Sequence, residues 1–434
     1  MRRSSLHPSS FFLSFLLTVA AVAATGIFLS ASHDAPEQAA HTGHGQPTQG
    51  QPAHGQHAAP ATHTTAKRET HGGVVGLDVA ERNGVLHVLT TVRAGDGFEL
   101  RHQRSTDAGR TWSTPVTIPS DGRPPGPVHR GNEPQLAVNG DRLVVVWTRK
   151  GNSRFGAGAM ASARSEDGGR TWTAGPNPAG ADLDSQSFSE LLADGAGAFH
   201  VFWLDTREDS RGLRVARSTD AGRSWAAAQT IDVATCECCW NKAIALDAST
   251  LAVLYRDRQP RDMALAIAGD DGRTWQRQST VGDFKWAFEG CPHVGGGLAV
   301  TRDGAASTLH ALVWSGDERH QGVSILSSSA RGAIWSQPVR IGGPMAMRGD
   351  LAADGTRLAA VWDASTDDGN VIMSAESRDG AKTWTTPAQV SGAASATHPL
   401  IVATQGRFVA FWTEVVPGTK DLRWVSRTLD RSSS

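Results

Sequence analysis

Two short segments concentrate the soft metal-binding side chains of this 434-residue chain. One contains Cys236, Cys238 and Cys239, and the other reads Cys291-Pro-His293. All four cysteines of the chain lie in these two segments. Thiolate and imidazole groups suit soft and borderline ions, which favours copper, above all Cu(I), with zinc as the substitute. We therefore predict a metal site that draws ligands from both segments.

A repeated loop motif indicates the fold that would position these segments. Its Trp residues, from Trp112 to Trp384, recur every 49 to 60 positions, a period typical of a four-stranded propeller blade. The Asp of each copy would accept backbone N–H groups of a tight loop, and a Gly supplies a positive φ. A degenerate copy has Ala330 in place of Asp, so we expect that loop to be held differently. The five intact copies contain Asp107, Asp167, Asp220, Asp270 and Asp379.

This motif resembles the Asp-box, or bacterial neuraminidase repeat, and the resemblance extends over nearly all of residues 73–427. It implies an all-β fold, a β-propeller of four-stranded blades in which the boxes are structural. The Trp of each box would pack its indole between neighbouring blades.

The strands between the boxes set the number of blades. Seven strand triplets contain an apolar run, which in six of them ends in an aromatic residue, as in residues 144–147 (VVVW), whereas there are only six boxes. We predict seven blades, with six as the alternative. A seventh outer strand would come from residues 67–70 and would close the ring between the two ends of the chain.

Propeller geometry places the two cysteine segments on one rim of the central channel. The first strand of each blade lines the channel, and its start lies on the face opposite the Asp-box loops. The cysteine segments precede the first strands of blades four and five. Further candidate ligands at such starts are His129, Met345, Met347 and His398. Neighbours that would support the ligands or the rim are Arg261, Asp262 and Trp240.

Two disulfides are an alternative use of the same thiols, because thiols of exported proteins are usually oxidised. Cys236 or Cys238 would then pair with Cys291 and join blades four and five, and the protein would be a plain scaffold. In an extended strand, Cys-x-Cys-Cys places two sulfurs on one face and the third on the other. On the metal hypothesis, we therefore expect two or three of these sulfurs at most to share one ion.

The resemblance also implies a glycan-directed alternative, a sialidase-like hydrolase or a glycan-binding propeller. Exo-sialidases of this superfamily clamp a carboxylate with three arginines and use a Tyr nucleophile assisted by Glu. The rim arginines here are Arg130, Arg256 and Arg348. The usual Arg-Ile-Pro motif does not occur, and residues 73–78 read GVVGLD. The catalytic candidates on this hypothesis are Tyr255, Arg256, Asp257, Glu133 and Glu190.

The N-terminal region predicts export. Residues 1–31 form a signal peptide or an N-terminal membrane anchor, since Arg2 and Arg3 precede an apolar run. Residues 32–70 are a His-rich linker that we expect to be disordered and to collect metal. The propeller follows over residues 71–429, with a tail at 430–434. We therefore expect a periplasmic or extracellular protein, anchored to the inner membrane if the segment stays uncleaved.

The net charge of −1 gives no general attraction to nucleic acid or to an anionic membrane. We expect a metal ion or a small polar ligand as partner, with a periplasmic protein docking on the rim. The sequence thus predicts a copper-binding propeller, and it leaves open whether the protein is an enzyme.

Overall fold

The computed structural model describes residues 73–152, 156–207, 210–329, 331–392 and 395–429. Within these residues the regular structure is entirely β, arranged as seven antiparallel sheets. Blades one to three contain β1 (Val74–Arg82), β2 (Val85–Ala94), β3 (Gly97–Ser105), β4 (Val116–Ile118), β5 (Gln135–Asn139), β6 (Arg142–Lys150), β7 (Ala157–Ser165), β8 (Thr173–Gly175), β9 (Ser187–Ala193), β10 (Phe199–Arg207), β11 (Ser210–Ser218) and β12 (Gln229–Asp232).

Blades four to seven continue the same order. They contain β13 (Lys242–Ala245), β14 (Leu251–Arg256), β15 (Met263–Ala268), β16 (Gln276–Val281), β17 (Gly297–Asp303), β18 (Ala306–Ser315), β19 (Gly322–Ser328), β20 (Val339–Gly342), β21 (Ala346–Asp354), β22 (Arg357–Thr366), β23 (Gly369–Ser377), β24 (Ala388–Gln389), β25 (Ala396–Thr404), β26 (Arg407–Val415) and β27 (Leu422–Leu429). Six sheets have four strands, and the last has three in the described residues.

The predicted seven-bladed β-propeller is therefore confirmed, and the six-bladed alternative is not. The first strands contact one another around the ring, and β1 of blade one contacts β25 of blade seven. The proposed closing strand at residues 67–70, the export segment and the His-rich linker lie outside the described residues. In the part of the chain that the structure describes, there is no helix long and apolar enough to cross a bilayer.

Seven hydrophobic clusters hold the blades together, one at each interface. The second strand of each blade contributes most, since it lies between two strands of its own sheet and between two neighbouring sheets. This double burial explains the continuous apolar runs in the sequence. Trp147, Trp203, Trp362 and Trp412 at the ends of these strands are almost fully buried.

The Asp boxes connect the third and fourth strands of the blades. In the first box, Asp107 Oδ1 accepts the Thr111 backbone N–H at 2.9 Å, and Ser105 Oγ accepts the Gly109 N–H at 2.9 Å. The Trp112 indole packs edge-on against Phe411 of blade seven. The degenerate fifth box is held differently in part: Ser328 Oγ still accepts the Gly332 N–H at 2.9 Å, but Ser279 of blade four also donates to the Gly332 carbonyl at 2.5 Å.

Candidate functional site

The first cysteine segment lies between β12 and β13, where the chain bends sharply. The Cys236 backbone N–H donates to the Arg256 carbonyl at 2.9 Å, which fixes the segment to the end of β14. From there to β13 the chain is not a strand, so the alternation of sides expected from Cys-x-Cys-Cys does not apply. The expectation of opposed sulfurs was wrong. All three sulfurs face one another.

The three sulfurs form a compact, buried group. Cys236 Sγ lies 3.1 Å from Cys239 Sγ and 3.8 Å from Cys238 Sγ. The three residues are 1–2% exposed. None of the four cysteines is in a disulfide in this structure. The thiols therefore meet as free groups in a setting where a soft ion could bridge them.

Charge in the cluster is unevenly shared. Hydrogen bonds with the neighbouring thiols of Cys238 and Cys239 hold the pKa of Cys236 far below its ordinary value. Burial instead raises the pKa of Cys239 to about 12. Arg261 donates from Nη1 to Cys236 Sγ at 3.0 Å and so compensates a thiolate at that position. Its Nε donates to the Phe288 carbonyl at 3.0 Å, which fixes the guanidinium in place.

The second segment approaches the same sulfurs from blade five. The ligand atoms of Cys238, Cys291 and His293 all lie within 4.8 Å of one another. Cys291 is exposed and His293 is half-buried, with its backbone at a φ of 51° that non-glycine residues rarely adopt. Chain segments from two blades thus converge on Cys238, as the strand order predicted.

The remaining candidate ligands have other surroundings, and the two histidines among them belong to neither group of thiol and imidazole ligands. His129 packs its ring against Phe188. Met345 is 60% exposed, and Met347 packs on a core cluster between blades five and six. His398 Nε2 lies 3.0 Å from Glu133 Oε1.

A cavity of about 80 Å³ opens at the channel mouth, and its wall includes the residue that follows Cys239. Trp240, Arg130 and Arg348 are part of its wall. Arg130 and Arg348 both contact the Asp363 carboxylate, which links blade two to blade six across the channel. Among the described residues, Arg130 Nη2 and Arg348 Nε have no hydrogen-bond partner.

Glu133 and Glu190 also line this cavity. Burial alone would raise the pKa of Glu133, but the hydrogen bond with His398 and the charge of Arg130 hold it below its ordinary value. Burial raises the pKa of Glu190, whose Oε1 lies 3.8 Å from Lys242 Nζ. The sequence reasoning missed Lys242. Lys242 could have been found from the sequence, since it is a lone charged residue at the start of an otherwise apolar strand.

The other catalytic candidates do not reach the cavity. Tyr255 is fully buried, and its hydroxyl donates to Asp232 Oδ2 at 2.8 Å, while burial raises its pKa. Arg256 donates to the carbonyls of Val294 and Trp314, both at 3.0 Å, and supports these segments. Asp257 pairs with Arg277, with Oδ2 2.6 Å from Nη2. Asp262 accepts the Lys285 backbone N–H at 2.7 Å.

Comparison with known proteins places the chain in a family. A model of the BNR repeat-like domain matches residues 51–285, more than half of the chain. The chain belongs to the BNR repeat-like family. A sialidase of Bacteroides fragilis (strain YCH46) is 25% identical over 231 residues, which cover 45% of this BNR protein and 42% of the sialidase. The match therefore spans less than half the length of that relative.

Solved structures share the architecture. A polysaccharide lyase of family PL25, an ulvan lyase bound to -[GlcA(1-4)Rha3S]-, superimposes with a TM-score of 0.55 at 10% identity, covering 83% of this chain and 96% of the lyase. The polysaccharide lyase Uly1 gives 0.52 at 10% identity, covering 86% and 93%. At such identities, the likeness shows the fold alone.

Proposed function

We propose that this BNR propeller binds Cu(I) through Cys236, Cys238, Cys239, Cys291 and His293 at one mouth of its channel. The observation that carries the proposal is the meeting of three free, buried sulfurs within 4.8 Å of one another. Soft thiolates select soft ions, and the Arg261 guanidinium offsets part of their negative charge. We infer that the protein acts outside the cytoplasm, as its first 31 residues predict.

The arrangement favours Cu(I) over zinc. A structural zinc site uses four ligands in a tetrahedron around one ion. Here the ligand atoms fall into two sets of three, and in the described residues no set of four lies within mutual reach. Cu(I) accepts such low coordination by soft donors, so three thiolates suffice for it.

A competition experiment tests the proposal. The full chain, reduced and handled without oxygen, is titrated with Cu(I) against bathocuproine disulfonate. We expect Cys236→Ser to weaken copper binding by more than the roughly 10–100-fold that loss of a residue orienting a ligand costs. Met345 is 60% exposed and is not one of the five proposed ligands, so Met345→Leu is the matched control and should leave binding unchanged.

Thiol counting separates the proposal from the scaffold alternative. Unfolded, unreduced protein from the native compartment should give four reactive thiols after the metal is removed. A count of zero, together with no copper above the level of Cys236→Ser, would establish two disulfides and overturn the metal function.

A second candidate function, binding of an acidic glycan, is favoured by the channel-mouth arginines. Arg130 and Arg348 line a cavity together with Trp240, and each has a buried side-chain nitrogen without a hydrogen-bond partner. Such a fork can bind a sugar carboxylate, and an indole can pack on a sugar ring. We expect Arg130→Gln to abolish binding or turnover of a fluorogenic sialoside. Tyr255→Phe should not, because that hydroxyl is buried against Asp232.

A further inference from the structure

The two sets of metal ligands have one member in common. Cys236, Cys238 and Cys239 form one set, and Cys238, Cys291 and His293 form the other. A thiolate sulfur has several lone pairs and can bridge two soft ions. Cys238 is therefore the residue at which two ion positions would join.

The two positions differ in access to solvent. The set around Cys236 and Cys239 is buried between blades three and four. The other set includes the exposed Cys291 and the half-buried His293. One position is thus shielded within protein, whereas the other opens at the surface of the rim.

Charge is nearly balanced in a site with two ions. Four thiolates carry four negative charges, two Cu(I) ions offset two of them, and the Arg261 contact with Cys236 offsets another. Each thiol releases its proton to solvent when it binds an ion, so loading the site with copper releases protons.

We infer that this protein holds two Cu(I) ions, an inner one on Cys236, Cys239 and Cys238 and an outer one on Cys238, Cys291 and His293, with Cys238 as the bridging thiolate. This inference rests on the proposed copper function. The exposed outer position is the one that exchanges ions with solvent or with a chelator. An ion enters the inner position by exchange of ligands at Cys238.

The test is the number of Cu(I) ions that the full chain retains against bathocuproine disulfonate. The wild type and Met345→Leu should retain two, whereas Cys291→Ser should retain one. Cys291 is exposed, so its replacement by Ser should not disturb folding. X-ray absorption of the fully loaded wild type should show a copper–copper scattering path, which should vanish in Cys291→Ser.

The outcomes separate the two proposals. A wild type that retains one ion, with no change in Cys291→Ser, overturns the two-ion site and leaves the copper function in place. A wild type that retains no ion overturns the copper function itself. The absorption measurement on the wild type tests the two-ion site directly. A wild type without a copper–copper path therefore overturns the inference even if Cys291→Ser fails to fold.

Discussion

Trp240 follows Cys239 directly and lines the channel-mouth cavity, and two glycines make room for its indole. A Cβ at Gly131 would lie 2.6 Å from Trp240 Cε3, and Gly131 has a φ of 85°. A Cβ at Gly295 would lie 2.3 Å from Trp240 Nε1. The position of the indole therefore depends on residues without side chains in blades two and five.

We predict that Gly295→Ala destabilises the protein by about 1–3 kcal/mol, the usual cost of overpacking, because the indole must move. Urea unfolding measures this change. Gly343→Ala is the matched control, since a Cβ there meets no atom within 4 Å, and its stability should stay near that of the wild type. Equal effects of the two substitutions would contradict the packing role of Trp240.

At this scale, the sequence predicted which cysteine segments come together better than how their sulfurs meet. Cys236 and Cys291 were placed on one rim because each precedes a first strand. The bend that turns three sulfurs together was not predicted, since it depends on the Arg256 carbonyl on β14. The pairing of His398 with Glu133 was missed for a similar reason, because it joins blades seven and two.

The Asp box is the element that repeats most faithfully. In the second copy, Asp167 accepts the Thr171 backbone N–H at 2.9 Å and the Thr171 hydroxyl at 2.6 Å. These bonds close the loop between β7 and β8, at the end of the blade opposite the rim. A substitution in an Asp box should therefore change the stability of the protein and leave the sulfur site unchanged.

We predict that Asp167→Ala lowers the free energy of unfolding by about 1–3 kcal/mol, through loss of hydrogen bonds to a charged group. Urea unfolding measures the change, and Cu(I) titration should give the wild-type result. The neighbouring Glu166→Ala is the control, because Glu166 makes only partly exposed ion pairs, which contribute about 0–1 kcal/mol. Loss of copper binding in Asp167→Ala would show that the boxes are more than structural.

Elements with a strong local pattern were predictable, and those without it were not. The boxes and the apolar second strands carry their own signals, so seven blades could be counted from the sequence. The short outer strands do not. β24 has two residues, Ala388–Gln389, both exposed, and only pairing with β23 identifies it as a strand.

In addition to the hydrophobic clusters, carboxylates link the first strands of neighbouring blades at three of the seven interfaces. Asp78 accepts the Leu136 N–H at 2.7 Å, Glu190 accepts the Ala243 N–H at 3.0 Å and Asp350 accepts the Ile401 N–H at 3.1 Å. Each bond joins the first strands of two neighbouring blades. The sequence did not predict these bonds, because a single acid in an apolar strand does not reveal which strand lies beside it.

Asp78 makes the stability of the ring depend on pH. Burial raises its pKa from 3.8 to about 7, in spite of the nearby Lys242 and the Leu136 N–H. Between these two values the folded protein binds a proton that the unfolded chain does not. The stability that Asp78 contributes is therefore fully present below the unfolded pKa of 3.8, and it is lost as pH rises through the folded pKa of about 7.

We predict that Asp78→Asn removes this loss, since the amide oxygen still accepts the Leu136 N–H but carries no charge. The variant should be more stable than the wild type at about pH 8, by up to a few kcal/mol, and its stability should change less between about pH 5 and about pH 8. Urea unfolding at both pH values measures the difference. Glu99→Gln, which alters a partly exposed pair with Arg101, should keep the wild-type pH dependence. A variant that is less stable than the wild type at the higher pH would show that Lys242 compensates the Asp78 charge fully, so that the ring is held there by an ion pair.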